Sequence, residues 1–366
     1  MKLNNRSKSL LASIAVFIFI ILLLAFAEGA TRLRQWLKYG SFGQLSAIYA
    51  TDPETNLRVP KSNTKTGSID INSHGFRGPE LKNPKPTKSL RIAFLGASTT
   101  FCAEVSSNEL TWPHLVAQQL QENYPNIPIE YVNGAVPGYT VSSSLRNLRE
   151  RIAPLEPDII IIYHATNDLS VETRDIAKKQ SIIRDGEIEG NSWFADYSLL
   201  WFLVEKNLRL IKLQNDAEKQ RGRLQFDPTE LGSNFRTELT ELVREAQKVS
   251  RVVALVTFSQ QIRNEQSPEL QLKAASSALY YMPFMTPEGL IASFSKYNEI
   301  IKEVGRKFKA LIIDGEMSIP GDEEHFNDTV HFKDKGSKVM AQRVSTALLK
   351  SVYIKTLVES KLVDRP

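Results

Sequence analysis

At 366 residues and 42% hydrophobic content, the chain can bury one large core, and one domain with appendages fits better than two full domains. The formal charge is +5, but Lys2, Arg6 and Lys8 stand ahead of residue 28 with no acid among them, leaving 43 basic against 41 acidic residues, or +2. That balance carries no nucleic-acid footprint, and a single cysteine, Cys102, excludes an intramolecular disulfide.

From Leu10 to Ala27 run 18 residues without a charge, enough helix to cross about 27 Å of hydrocarbon at ~1.5 Å per residue. Residues 1–30 therefore read as a membrane anchor or a signal segment. Ala25-Phe26-Ala27 has the small-x-small form of a cleavage site, whereas the length of the run favours retention. A retained anchor is the favoured reading, with cleaved secretion as the alternative. Basic residues tie across the span, with Lys2, Arg6 and Lys8 facing Arg32, Arg34 and Lys38, so charge alone sets no orientation. A single N-terminal span ahead of a globular domain acts as an export signal, which places that domain outside the cytoplasm.

Residues 31–87 show no core-sized apolar pattern and end in Pro79, Pro84 and Pro86, an extended arm and Pro-rich linker. Within them Ile71–Gly78 reads INSHGFRG, from which His74 or Arg77 can reach a site; the plainer reading is a turn that docks the arm.

Beyond residue 88 strand and helix patterns alternate. Strands are expected near 91–96, 130–135, 158–164, 251–258 and 310–314, and helices near 111–123, 141–152, 233–249, 292–308 and 334–351. Phe294, Tyr297, Ile301, Val304 and Phe308 make a core-facing stripe on the fourth helix. Such alternation implies a parallel sheet covered on both faces. About 170–232 holds more chain than one crossover needs. Its centre, 196–213, suits a helix with Tyr197, Leu200, Trp201, Val204, Leu208 and Ile211 on one side and Leu199, Phe202 and Leu203 on others. Ordinary packing, a lid, an acyl-chain wall or an interfacial element all fit it.

The first strand breaks into Gly96-Ala97-Ser98, which sets a serine at the carboxyl end of a buried strand, where ligands of open α/β sheets sit. Asp328 lies three residues before His331, a spacing that lets the carboxylate fold back and orient the imidazole toward a serine. Gly138 follows one strand and Asn167 another; a close backbone N–H and a side-chain amide join the Ser98 N–H as three donors for an oxyanion. His325 with Asp328 and His331 does not have a usual zinc spacing, so no metal is expected. His164 borders the expected pocket, His114 is a helix-face residue, and Cys102 is a small buried hydrophobe. Asn327-Asp328-Thr329 is a glycosylation sequon in which a glycan would crowd Asp328, favouring a bacterial envelope protein over a product of a glycosylating pathway.

Gly96-Ala97-Ser98, Gly138, Ala165-Thr166-Asn167-Asp168 and Asp328 to His331 occur in the order of the four blocks of the SGNH hydrolases, also called GDSL-type esterases, and the chain resembles that superfamily over roughly residues 88–352. Ala97 stands where the family usually has an acid and Ala165 where it has a glycine. INSHGFRG looks like a segment found ahead of membrane-tethered members. The resemblance implies a flavodoxin-like three-layer α/β/α sandwich over 88–355, with a tail at 356–366. It implies a Ser98, His331 and Asp328 triad, an oxyanion hole of Ser98, Gly138 and Asn167, and no cofactor. The expected activity is hydrolysis of an acyl ester on an envelope glycan or lipid. An O-acyltransferase of the same fold and a non-catalytic glycan-binding domain are the alternatives. The GxSxG elbow is absent, since Thr100 takes the second glycine's place.

Overall fold

Five runs of apolar residues, most of them only five to seven long and rich in Ile and Val, build the central sheet. The computed structural model describes residues 5–39, 48–182, 192–220 and 224–363. Parts of the expected arm (40–47), insertion (183–191 and 221–223) and tail (364–366), together with Lys2, lie outside the described residues.

The chain divides into two units, 1–47 with 188–212, and 48–187 with 213–366. In the larger unit, strands β1 (Tyr49–Thr51) and β2 (Arg58–Pro60) form one antiparallel hairpin, and β3 (Lys65–Thr66) and β4 (Ile69–Asp70) a second. The sheet follows: β5 (Leu90–Gly96), β6 (Ile129–Asn133), β7 (Ile159–Tyr163), β8 (Val252–Val256) and β9 (Leu311–Ile313). All pairings are parallel in the order β6-β5-β7-β8-β9, with Phe94 opposite Asn133 on one side and Ile161 on the other. This is the doubly wound order in which the chain reverses direction beside its first central strand, opening a crevice at the carboxyl end of β5. β5, β7 and β8 are buried at every position, as a parallel sheet with two covered faces requires.

Helix Trp112–Asn123 packs on Asp334–Lys350, while Val141–Asn147 and Pro287–Lys307 both pack on Ser233–Val249. The expected α/β fold is therefore present, with differences at element ends. The fourth expected helix begins at Pro287, capped by the Thr286 hydroxyl, rather than at 292. The helix expected over 141–152 is α-helical to Asn147 and continues as a π turn over Leu148–Ile152. Three further helices lay outside the expected pattern: Thr166–Lys179, Pro268–Tyr281 and Val352–Val363, the last occupying much of the expected tail.

Residues 48–87 differ from an extended arm. Ile48, Leu57, Val59, Ile69, Ile71, Phe76 and Leu81 are all buried within the larger unit. Their spacing is too irregular to show a period, because short hairpins bury single residues rather than a continuous face.

In the smaller unit, one helix spans Asn5–Tyr39, and its stretch Leu11–Leu37 is the one candidate membrane span among the described residues. The helix expected over 196–213 is two elements, Trp193–Tyr197 and Leu199–Gln220, separated at Ser198. Glu28 of the long helix accepts hydrogen bonds from Ser198 Oγ (2.8 Å), Leu199 N (3.0 Å) and Leu200 N (2.9 Å), capping the second element from another segment.

Candidate active site

Strand β5 ends at Gly96 because no side chain fits there: a Cβ would stand 2.7 Å from Thr100 Cβ and 2.9 Å from Tyr163 O. The next four residues, Ser98–Phe101, make a single helical turn, with Thr100 N and Phe101 N donating to Ala97 O. Thr99, Thr100 and Phe101 are buried and Ser98 is left partly exposed. Cys102 closes the turn in the left-handed region at φ 60°, an uncommon place for a residue with a Cβ. Burial pushes its thiol up to about 12, so it behaves as the expected small hydrophobe.

A guanidinium holds that turn from below. Arg77, fully buried, donates to Phe101 O (2.9 Å), Cys102 O, Ser68 O (2.6 Å) and Asn108 Oδ1 (2.8 Å). The INSHGFRG segment positions it through Asn72, whose Oδ1 accepts from His74 N and Phe76 N and whose Nδ2 donates to Pro79 O. These contacts fit the plainer reading, a turn that docks the arm, rather than the alternative in which Arg77 reaches a site: its hydrogen bonds go to backbone and to Asn108. His74 pairs with Ser73 Oγ at 3.2 Å.

The segment from Phe326 to Phe332 is closed by an antiparallel bridge between its ends and by Asn327 N donating to His331 O. Asp328 Oδ1 accepts from Val330 N and His331 N, both at 3.0 Å, so the carboxylate caps its own turn. The same carboxylate receives His331 Nδ1 at 2.8 Å, and His331 Nε2 lies 2.7 Å from Ser98 Oγ. Ser98, His331 and Asp328 are thereby brought into one hydrogen-bonded line across 233 residues of sequence. Thr329 of the sequon is buried, its Oγ1 donating to Ala274 O. His325 is occupied by Asp322, at 2.7 Å from Nδ1.

Gly138 lies in a loop with φ +90°, conformational freedom that suits glycine. Two side chains pin this loop: Arg58 Nη1 donates to Pro137 O (2.9 Å) and Asn167 Nδ2 to Tyr139 O (2.8 Å). One amide hydrogen of Asn167 is thus committed to the loop, and the amide carries a second. Tyr139 OH returns a bond to Arg58 O at 2.7 Å. Ala97, placed where the resemblance has an acid, is buried with Leu57, Val59, Val136 and Tyr139. A carboxylate there would be stranded under the first hairpin.

His164 does not border the site. It is buried, with Nε2 2.8 Å from Ser144 Oγ, and burial pushes it down to about 3. Its 3.8 Å approach to Asp168 is accordingly not an ion pair. Asp168 is a structural residue: Oδ1 accepts from Val141 N at 2.9 Å, and burial pushes its carboxyl up to about 7. His114 faces Tyr131, 3.4 Å from its hydroxyl.

Sequence reasoning missed Glu104. Its Oε2 is buried with no hydrogen-bond partner, and its charge acts on both His331 and Asp328. Burial pushes this carboxyl up, opposed by His331. At His331, burial works against the imidazolium, but Glu104 and then Asp328 outweigh it and push the ring up to about 9. Asp328 is also penalised by burial, yet the hydrogen bond from His331 holds its carboxyl low. No periodicity or motif marks Glu104, and Arg58 is equally unmarked.

A parallel sheet in this order, with a serine and its histidine at the carboxyl end of β5, is an α/β architecture suited to acyl chemistry. The profile of the GDSL-like lipase/acylhydrolase family matches residues 94–339, and the chain belongs to that family: it is an ester hydrolase. No curated protein matches the sequence. Solved structures that resemble it include the acetylxylan esterase Axe2 from Geobacillus stearothermophilus, 14% identical over 74% of this chain and 99% of that one, TM-score 0.43. Another is LAE5, an alpha/beta hydrolase enzyme from the metagenome of Lake Arreo, Spain, 13% identical over 72% and 97%, TM-score 0.43.

Proposed function

We propose that the protein is a serine esterase that removes an acyl group from a cell-envelope glycan or lipid. The observation that carries this reading is the line Asp328–His331–Ser98, with contacts of 2.8 and 2.7 Å. In the proposed reaction Ser98 Oγ attacks the ester carbonyl while His331 Nε2 takes its proton. Asp328, already bonded to Nδ1, steadies the imidazolium. The tetrahedral oxyanion receives the Ser98 and Gly138 N–H groups and the remaining hydrogen of the Asn167 amide. Collapse breaks the ester C–O bond, and His331 returns the proton to the departing alcohol. Water, deprotonated by His331, then attacks the acyl-serine and releases the acid with Ser98 restored. No step requires a cofactor or a metal.

The apolar helix is read as a retained anchor, with the larger unit on the extracytoplasmic side. Its length and its 18 uncharged residues support that reading.

The test is hydrolysis of short- and medium-chain p-nitrophenyl esters by the detergent-solubilised chain beside Ser98→Ala. Loss of turnover in the variant, by ~10³-fold or more, is expected. Equal rates in both proteins would overturn the assignment of Ser98, and the chain-length profile of the native enzyme narrows the acyl group.

A further inference from the structure

The smaller unit carries an exposed aromatic cluster with no role in the reaction above. Trp193, Phe194, Tyr197 and Trp201 are 66%, 53%, 76% and 47% exposed. They associate with one another: Trp193 and Phe194 have ring centroids 3.8 Å apart, and Phe194 lies 6.4 Å from Trp201. Trp201 Nε1 donates to Ser192 Oγ at 2.9 Å, so its polar edge is satisfied while its face stays uncovered. Trp201, Val204, Leu208 and Ile211, all exposed, recur at three- and four-residue spacing and extend the cluster as a stripe along one helix face.

What covers this surface is indicated by where the cluster is tied. Glu28 is the first charged residue after the uncharged stretch Leu10–Ala27. In a spanning helix the first charge marks the level at which hydrocarbon gives way to headgroups. Glu28 binds the start of the helix Leu199–Gln220 through Ser198, Leu199 and Leu200, and Arg32, one turn further on, donates to Tyr197 O at 2.9 Å. These four bonds fix the aromatic cluster at the height of that boundary. Trp and Tyr, each with an apolar body and a polar edge, are the side chains that favour this layer.

We propose that Trp193, Phe194, Tyr197 and Trp201 form an interfacial collar set in the lipid headgroup layer beside the emerging anchor helix, with the apolar stripe of Leu199–Gln220 lying against the same bilayer surface. The occupant of the patch is therefore lipid. This rests on the reading of the N-terminal helix as a retained anchor.

The full chain is reconstituted into phosphatidylcholine–phosphatidylglycerol vesicles whose acyl chains are brominated close to the headgroup, and tryptophan quenching is measured. The chain holds four tryptophans, and Trp112 is buried in the larger unit, leaving Trp36, Trp193 and Trp201 open to the quencher. In the double variant Trp193→Phe with Trp201→Phe, the quenched emission is expected to fall to a third of the native value or less, since Trp36 stands eight residues, about 12 Å of helix, beyond Glu28. Quenching equal to that of the native chain would overturn the collar while leaving the anchor intact. Absence of quenching in both chains would overturn the anchor reading and the collar with it. A second variant guards against local unfolding: Phe194→Cys, labelled with an environment-sensitive dye while buried Cys102 stays unreactive, is expected to emit as from an apolar medium on vesicles. Emission as from water would overturn the proposal.

Discussion

Glu104 stands on the turn that follows the Ser98 helix, and its effect is exerted on His331 rather than on a substrate. A base must be neutral to take the serine proton, and a ring held up to about 9 is mostly protonated at pH 7. The rate of the free enzyme is therefore expected to climb with pH through the alkaline range. Glu104→Gln removes one of the two charges that hold the ring up, so His331 titrates lower. Each unit lost raises the neutral fraction at pH 7 about tenfold. The pH profile of kcat/KM for the variant should show its acid limb moved toward neutrality with a faster rate at pH 7; an unmoved limb would remove Glu104 from the relay. The same shift has a stability consequence. A histidine raised above its ordinary 6.5 contributes stability that is complete below 6.5 and is lost as pH rises through about 9. Asn167 makes a second residue-scale test. If its free amide hydrogen meets the oxyanion, Asn167→Ala lowers turnover by ~10²–10³-fold. Near-normal rates on a good ester would limit Asn167 to holding Tyr139 O.

Two elements position these groups. The first hairpin supplies Arg58, which grips the Gly138 loop through Pro137 O while its guanidinium rests 3.9 Å over the Tyr49 ring. Arg58→Ala removes a charged hydrogen bond to that loop. Such bonds contribute about 1.5–3 kcal/mol, so a fall in kcat of ~10-fold or more with KM little changed is expected if the loop bears an oxyanion donor. A rise in KM alone would make Arg58 a substrate contact instead. The start of helix Val141–Asn147 is held by Asp168, whose second oxygen, Oδ2, is buried without a partner. With its carboxyl raised from 3.8 to about 7, the folded state binds the proton more tightly than the unfolded chain does. Stability is then lost as pH rises from about 4 to about 7. Asp168→Asn keeps the acceptor for Val141 N and removes the titration. Denaturant unfolding at pH 5 and pH 8 should show a smaller difference in the variant than in the native chain.

Across the whole molecule, the contact division falls at Ile48, forty residues ahead of the boundary expected from the motif blocks. The reason lies in Arg77, which closes the turn behind Ser98, and in Leu57 and Val59, which cover Ala97. A chain beginning at Ile48 is expected to hydrolyse a soluble ester within about twofold of the full chain, because none of those contacts is lost. One beginning at Lys88 is expected to lose cooperative unfolding and turnover together, since Arg77 leaves two carbonyls without their donor and Ala97 becomes uncovered. Thermal unfolding and ester turnover of both chains decide the boundary.

What the sequence determined by itself was local. The sheet was legible because strands buried on both faces read as unbroken apolar runs, and the boundaries of β5 to β9 fall within two residues of expectation. The turn that carries Ser98 was legible because a buried apolar run that breaks at a glycine ends in a tight turn at its carboxyl end. Asp328 and His331 were legible because three residues make one turn, and their geometry needs nothing from elsewhere. Tertiary structure alone decided what depends on residues far apart in the chain. Arg77 meets the Cys102 turn from 25 residues away and Arg58 meets Pro137 from 79. Glu104 gains its importance only from the burial that leaves it beside His331, and His164, adjacent to a motif, turns inward to Ser144. A single residue that packs singly leaves no period in the sequence, and a buried charge is marked by its surroundings, which only the folded chain assembles.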